Sequence, residues 1–444
     1  MMTSKGLLAA LGLLVVLGGL VWWANKHPKS TETPTPAVPK ILALTAGDIT
    51  SVRIAKGATP PLTIKKLDDK WQIVEPAAMP ADQDVANGIV NAAATLNAER
   101  IIDEKPADLK EYGLVSPPLE VDVTMKDGKV SKVFLGSDNP SNTGTYVKLE
   151  SDPKLYTINS YTKASFDKTL SDLRDRRMLT FDKDKVTSVV LTAKGPAAEF
   201  NKNSGNEWQI TKPKALRADS LVVDDLVRKL TETRMDLSGD QKDVPANYAS
   251  GTKIAVAAVT DAGGVQTLEV HKGKDNNFYA KSSAVEGVFK ISNDIADGLN
   301  KSVDDFRNKK LFDFAFNDPN KVEIGGKAYD KAGENWTSGA DKFDGGSVQS
   351  VIDKLRDLSA SKFVEKSGGV TELAVAVTYG DKKKTEKVTI NKIGEAYVAL
   401  REGDGSVYVV DKAAFDDLQK AIGGIKPAAP PAAKTPAAKT PAKK

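Results

Sequence analysis

The chain contains no cysteine. That absence excludes disulfides, thiolate metal sites and a cysteine nucleophile. It suits a compartment where stray thiols would be oxidised. Histidine is nearly missing too, with only His27 and His271. They form no His-x-x-x-His pair, which argues against a zinc cluster. A Ser-His-Asp triad would need His271, and no Gly-x-Ser-x-Gly elbow accompanies it. There is no phosphate-binding Gly-x-x-x-x-Gly-Lys-Ser/Thr loop, and the Gly-Gly pairs at 263–264, 345–346 and 368–369 sit in hairpins or before helices. Two acidic turns, Asp275-Asn276-Asn277 and Glu402-Gly403-Asp404-Gly405, lack the spaced ligands of a calcium loop. The 59 acids offer many carboxylate pairs for glycoside chemistry but single out none. No catalytic, cofactor-binding or metal residue is therefore assigned, no cofactor is expected, and the chain is expected not to be an enzyme.

A basic fold is missing as well. The net charge is +4, but Lys426, Lys434, Lys439, Lys443 and Lys444 stand in a tail without an acid, and residues 1–40 add four Lys against Glu32. The middle of the chain is net acidic, so no nucleic-acid partner is expected.

What is present begins with residues 6–24, which carry no charge. As a helix they span about 29 Å, close to the hydrocarbon thickness of a bilayer. Trp22 and Trp23 suit the interface. The run is longer than a signal-peptide core, and Val21-Trp22-Trp23-Ala24 is a poor cleavage site. An uncleaved single-pass anchor in the cytoplasmic membrane is expected, with the bulk of the chain extracytoplasmic, in the periplasm. A Pro-rich stalk follows.

Beyond that run only three Trp remain, Trp71, Trp208 and Trp336, separated by 137 and 128 residues. The period implies one module copied three times. Each copy opens with a strand and a hairpin that ends at the Trp. An Asp then stands where a helix N-cap belongs: Asp82, Asp219 and Asp344. Apolar residues follow at helical spacing (Ile89, Ala93, Leu96; Leu226, Leu230; Val351, Leu355, Leu358). Four alternating segments and a closing helix complete the copy. The meander of copy one covers Leu119–Met125, Val130–Leu135, Tyr146–Leu149 and Leu155–Ile158. The unit reads βββ-α-ββββ-α, an α+β module with an antiparallel sheet. A Trp entering a strand before an amphipathic helix is read as core; the alternative is a sugar-stacking platform.

Basic connectors, Arg174-Asp175-Arg176-Arg177 and Arg307-Asn308-Lys309-Lys310, leave the first two closing helices. Positive charge there favours a helix C-terminus; the alternative is a site for an anionic partner. The expected organisation is a transmembrane anchor over 1–25, a linker over 26–45, repeat domains over 46–183, 184–319 and 320–425, and an Ala/Lys/Pro tail over 426–444. The tail cannot form a core; it solubilises, or reaches anionic wall polymer or lipid.

The segment Tyr112-Gly113-Leu114-Val115-Ser116-Pro117-Pro118-Leu119, with Trp71-Gln72-Ile73, Pro76, Asp82 and the N-terminal run, resembles a bacterial repeat-domain family of unknown function. Copy two has Tyr248-Ala249-Ser250-Gly251 instead, and copy three loses the Gln-Ile and the Pro. The resemblance implies a membrane-attached extracytoplasmic protein, some of whose relatives accompany gliding-motility-type ABC transporter components. It brings no catalytic residues. The function expected is an accessory or scaffold protein with membrane transporter subunits as partners. The alternatives are a binding module for wall glycan or peptide, and a hydrolase with dispersed carboxylates.

Overall fold

The computed structural model describes residues 39–429 apart from Lys382, together with Leu17, Gly19, Trp22, Trp23 and Lys26. The remainder of the anchor over 1–25, most of the linker and nearly all of the tail lie outside the described residues. Among the described residues no helix is long and apolar enough to cross a membrane.

Copy one runs β1 (Ile49–Ala55), β2 (Leu62–Leu67), β3 (Lys70–Glu75), β4 (Met79–Pro80), α1 (Gln83–Ala94), β5 (Arg100–Asp103), β6 (Leu119–Met125), β7 (Val130–Asp138), β8 (Gly144–Leu149), β9 (Leu155–Asn159), α2 (Ser160–Phe166) and α3 (Leu170–Leu173). Copy two runs β10 (Ser188–Thr192), β11 (Ala198–Lys202), β12 (Trp208–Lys212), β13 (Leu216–Arg217), α4 (Ser220–Glu232), α5 (Val244–Ala249), β14 (Thr252–Asp261), β15 (Gly264–Lys272), β16 (Phe278–Ser282), β17 (Val288–Ile291) and α6 (Asn293–Leu299). Copy three runs β18 (Pro319–Ile324), β19 (Lys327–Ala332), β20 (Asn335–Ser338), β21 (Asp341–Phe343), α7 (Gly345–Asp357), β22 (Ala360–Val364), β23 (Val370–Tyr379), β24 (Lys384–Ile393), β25 (Ala396–Arg401), β26 (Val407–Val410) and α8 (Lys412–Gly423).

The result is α+β with three antiparallel sheets. Their orders are β4-β3-β2-β1-β6-β7-β8-β9-β5, β13-β12-β11-β10-β14-β15-β16-β17 and β21-β20-β19-β18-β23-β24-β25-β26-β22. The chain forms two compact units, Met1–Asp175 and Arg176–Lys444. The first holds one sheet, the second holds two.

The three capping aspartates sit as their spacing predicts. The Asp82 carboxylate accepts from the N–H of Asp84 and Val85, Asp219 from Leu221 and Val222, and Asp344 from Ser347. The indoles lie inside, with Trp71, Trp208 and Trp336 only 4%, 4% and 3% exposed. Each belongs to the core of its own copy. The Trp71 Nε1 donates to Asn87 Oδ1 at 3.1 Å, and Trp208 Nε1 to Asp224 Oδ1 at 2.7 Å. Both acceptors stand five residues past the helix cap. In copy three that place holds Gln349, whose amide donates to Asp353 instead.

Several details depart from the expected βββ-α-ββββ-α. A fourth strand of two or three residues (β4, β13, β21) follows each hairpin, too short to show an alternation. Copies one and three add a strand after the helix (β5, β22) that crosses to the far edge of its sheet. Copy two places α5 in that stretch instead, and Asp236 bridges Lys290 at the sheet edge. The closing helix is unbroken only in copy three. In copies one and two Thr169 and Ser302 start a fresh turn through a capping box with Asp172 and Asp305.

The family-like segment of copy one is a packing device. The Tyr112 carbonyl accepts from Ser137 N–H at 2.9 Å. Gly113 has φ +66, and a Cβ on Gly136 would lie 2.1 Å from the Tyr112 oxygen. Only glycine permits that approach. Gly136→Ala is expected to destabilise the first unit by about 2 kcal/mol or more through this clash. Trp208→Ala should cost about 3–5 kcal/mol in the second unit. Denaturant unfolding of each variant checks both values.

Candidate functional site

The basic connectors turn out to be extended staples. Arg174 bridges Ala81, just before α1, and Arg307 bridges Ala218, just before α4. Pro427 bridges Phe343 before α7 in the same way. The incoming chain pairs on the other side of each helix, Lys40 with Asn97, Arg177 with Arg234 and Lys310 with Ser359. The capping aspartates take part: Asp82 N–H donates to Leu173 O at 2.8 Å, Asp219 to Phe306 O at 2.8 Å, and Asp344 to Lys426 O at 2.9 Å. Arg307 itself stacks on Phe363, 3.4 Å above the ring, and pairs with Asp304 at 2.8 Å. It caps the C-terminus of the short helical turn Val303–Phe306, as expected of a basic connector, and its charge also rests on an aromatic face and an acid.

The two acidic turns also find a role. In each, an Asp caps its own turn and accepts from a Tyr four residues on. Asp275 receives Tyr279 at 2.5 Å, and Asp404 receives Tyr408. Asp152 and Tyr156 repeat the device in copy one at 2.6 Å. Burial first, then the carboxylate, pushes the Tyr156 hydroxyl up to about 12. These groups anchor hairpins to the sheet. Among the described residues no group of three or more His, Asp or Glu could hold a metal ion.

His271 sits in β15, stacked on Tyr248 with ring centroids 4.0 Å apart. Its Nδ1 faces Tyr248 O at 2.9 Å and its Nε2 faces Glu269 Oε1 at 2.8 Å. A neutral imidazole can donate to only one of these acceptors. Through Tyr248 the cluster ties α5 to the sheet.

The densest polar site lies between copies two and three, within the second unit. The Arg217 guanidinium reaches across to Asp313, with Nη2 2.6 Å from both carboxylate oxygens, and Nη1 donates to Tyr408 OH and Lys310 O, each at 2.9 Å. Arg401 holds the same Asp313 at 3.2 Å and Glu386 at 3.0 Å. Glu386 accepts further from Tyr379 OH at 2.7 Å and from Asp313 N–H at 2.7 Å. It is nearly enclosed, with a side chain 2% exposed. Burial alone would raise its carboxyl, but the Tyr379, Asp313 and Arg401 donors outweigh that and hold it below the usual range. Asp404 is likewise held down, against burial, by Tyr408 and Ser406. A cleft of about 560 Å³ opens beside the network, lined in part by Trp208, Arg217, Asn308, Lys384 and Arg401.

Sequence reasoning did not single out Arg217, Asp313, Glu386 or Arg401. One signal was there. Glu386 falls in phase with Val388 and Ile390 on the inward face of β24, where an acid demands a partner.

Tandem α+β modules, each stapled around its capped helix and the last two joined by an ion network, define the class of protein. The sequence profile of a family described as a domain of unknown function (DUF4340) matches residues 71–249 and again residues 208–375. Together these matches span more than half of the chain, and the protein belongs to this family. Both matches start at a repeat Trp. No curated protein matches, and no solved structure matches.

The depressed Glu386 carboxyl sets a pH dependence. Its contribution is present above the unfolded value of about 4.3 and is lost as pH falls through the lower folded value. Unfolding free energy of the second unit should therefore fall steeply below about pH 4.5, and Glu386→Gln should flatten that limb. A double-mutant cycle on Arg217→Ala and Asp313→Ala is expected to return a coupling of about 2 kcal/mol.

Proposed function

We propose that the protein is a membrane-anchored, extracytoplasmic, non-enzymatic accessory or scaffold protein that serves an ABC-type transport system. One observation carries the scaffold reading. The largest polar cluster between copies two and three is occupied with itself, and each of its charged groups ties one copy to the other or fixes a partner that does. Its two buried carboxyls are held ionised, whereas a glycosidase acid needs a raised one. That disfavours the hydrolase alternative. The membrane location rests on the uncharged run 6–24, and the transporter partner on the family resemblance.

Crosslinking in native membranes, followed by identification of the attached proteins, tests the partner. The expected outcome is recovery of transporter subunits with the full chain in the membrane fraction, accessible to protease only from outside. A full chain found in the soluble fraction would sink the proposal. Removal of residues 1–25 is expected to release a soluble protein that unfolds as the full chain does, read by circular dichroism.

A further inference from the structure

Two clefts of the second unit are lined in part by ion-paired residues. One surface cleft of the first unit differs. It has a volume of about 600 Å³ and lies between the end of α1 and the start of α2. Its polar lining includes Thr95, Asn97, Glu99, Asn159, Tyr161 and Thr162, and no Lys or Arg contributes to it. In a chain with 27% charged residues, a lining with one carboxylate and no cation selects against phosphate and other anions.

Tyr161 is among the lining residues and is 73% exposed. A flat ring with one apolar face and a hydroxyl suits a ligand that is apolar on one face and polar at its edge. The pyranose ring has that character, with C–H groups on its face and hydroxyls around its rim. The surrounding groups are set in advance. Asn159 Oδ1 accepts from Tyr161 N–H at 3.1 Å, and its amide donates to Glu99 Oε1 at 3.2 Å. Thr95, also in the lining, donates its hydroxyl to Asn91 O at 2.9 Å, so what its oxygen keeps is acceptor capacity. Asn97 is fixed through its backbone bridge to Lys40. Amide, hydroxyl and carboxylate groups around an exposed aromatic ring match the alternating donors and acceptors of sugar hydroxyls.

We propose that this cleft binds an uncharged saccharide, with Tyr161 as the stacking platform and Asn97 and Glu99 as hydrogen-bonding partners. Among the described residues copies two and three do not repeat the site, because the matching second residue of the closing helix is Asp294 in copy two and Ala413 in copy three. The inference is independent of the membrane location and of the transporter partner.

Calorimetric titration of the full chain in detergent with chitotetraose, maltotetraose and inorganic polyphosphate tests it. At least one of the two saccharides is expected to bind, and polyphosphate is expected neither to bind at this site nor to compete. Tyr161→Ala should weaken binding at least about tenfold, the equivalent of about 1.4 kcal/mol. Tyr161→Phe should hold the affinity within about threefold, since the ring face remains. Leu221→Ala, an exposed position on α4, should leave it unaltered. An unchanged thermal unfolding curve for Tyr161→Ala ties any loss to the ring. Failure of both saccharides to bind, an unaltered affinity in Tyr161→Ala, or displacement of the saccharide by polyphosphate would each overturn the proposal.

Discussion

One aspartate per copy is used twice, and the rest of the module hangs on it. The side chains of Asp82, Asp219 and Asp344 accept from the first free N–H groups of the following helix. Their own N–H groups donate to the chain that leaves the copy. The first requirement comes from the unsatisfied donors of a helix start. The second pulls the exit segment against the short strand ahead of the helix. Helix position and exit path are thus fixed within one residue's reach. The Trp beneath it is positioned by the same helix, since its indole acceptor stands five residues past the cap in copies one and two.

Charge marks the joint between copies two and three. Asp313 lies three residues after the staple residue Lys310; Thr180 holds the same place after Arg177. The backbone N–H of Asp313 donates to Glu386, whereas that of Thr180 donates to the neutral Gln266 at 2.8 Å. Arg217 in β13 corresponds to Pro80 in β4. One scaffold position therefore carries a neutral pair in one copy and an ion network in the next. Ion pairs withdrawn from water add little net stability against an apolar replacement, but they penalise wrong pairings heavily. The network makes copies two and three specific for each other, in accord with their shared compact unit.

The residues that carry the family likeness serve packing. Tyr112, Gly113 and Leu114 form a turn pressed onto Gly136, and Tyr112 meets Tyr146 edge-on at 4.9 Å. The turn aspartates pin tyrosines. Such groups are constrained because each has one geometric solution. That is why a family match defines the architecture here and leaves the activity to be found on surfaces the repeats do not share, such as the cleft beside Tyr161.

The sequence by itself determined the period, the three caps, the buried indoles and the antiparallel meander. Leu119–Met125 has the limits its alternation indicates. These are local signals, since caps and periodicity are written within one turn or one strand. Tertiary structure alone decided the edge strands of two or three residues, the strand that crosses to the far edge, the stapling by the connectors and the Arg217 network. Arg217 and Tyr408 stand 191 residues apart. No periodic pattern links such a pair, because a contact across that distance exists only after both copies have folded and closed on each other.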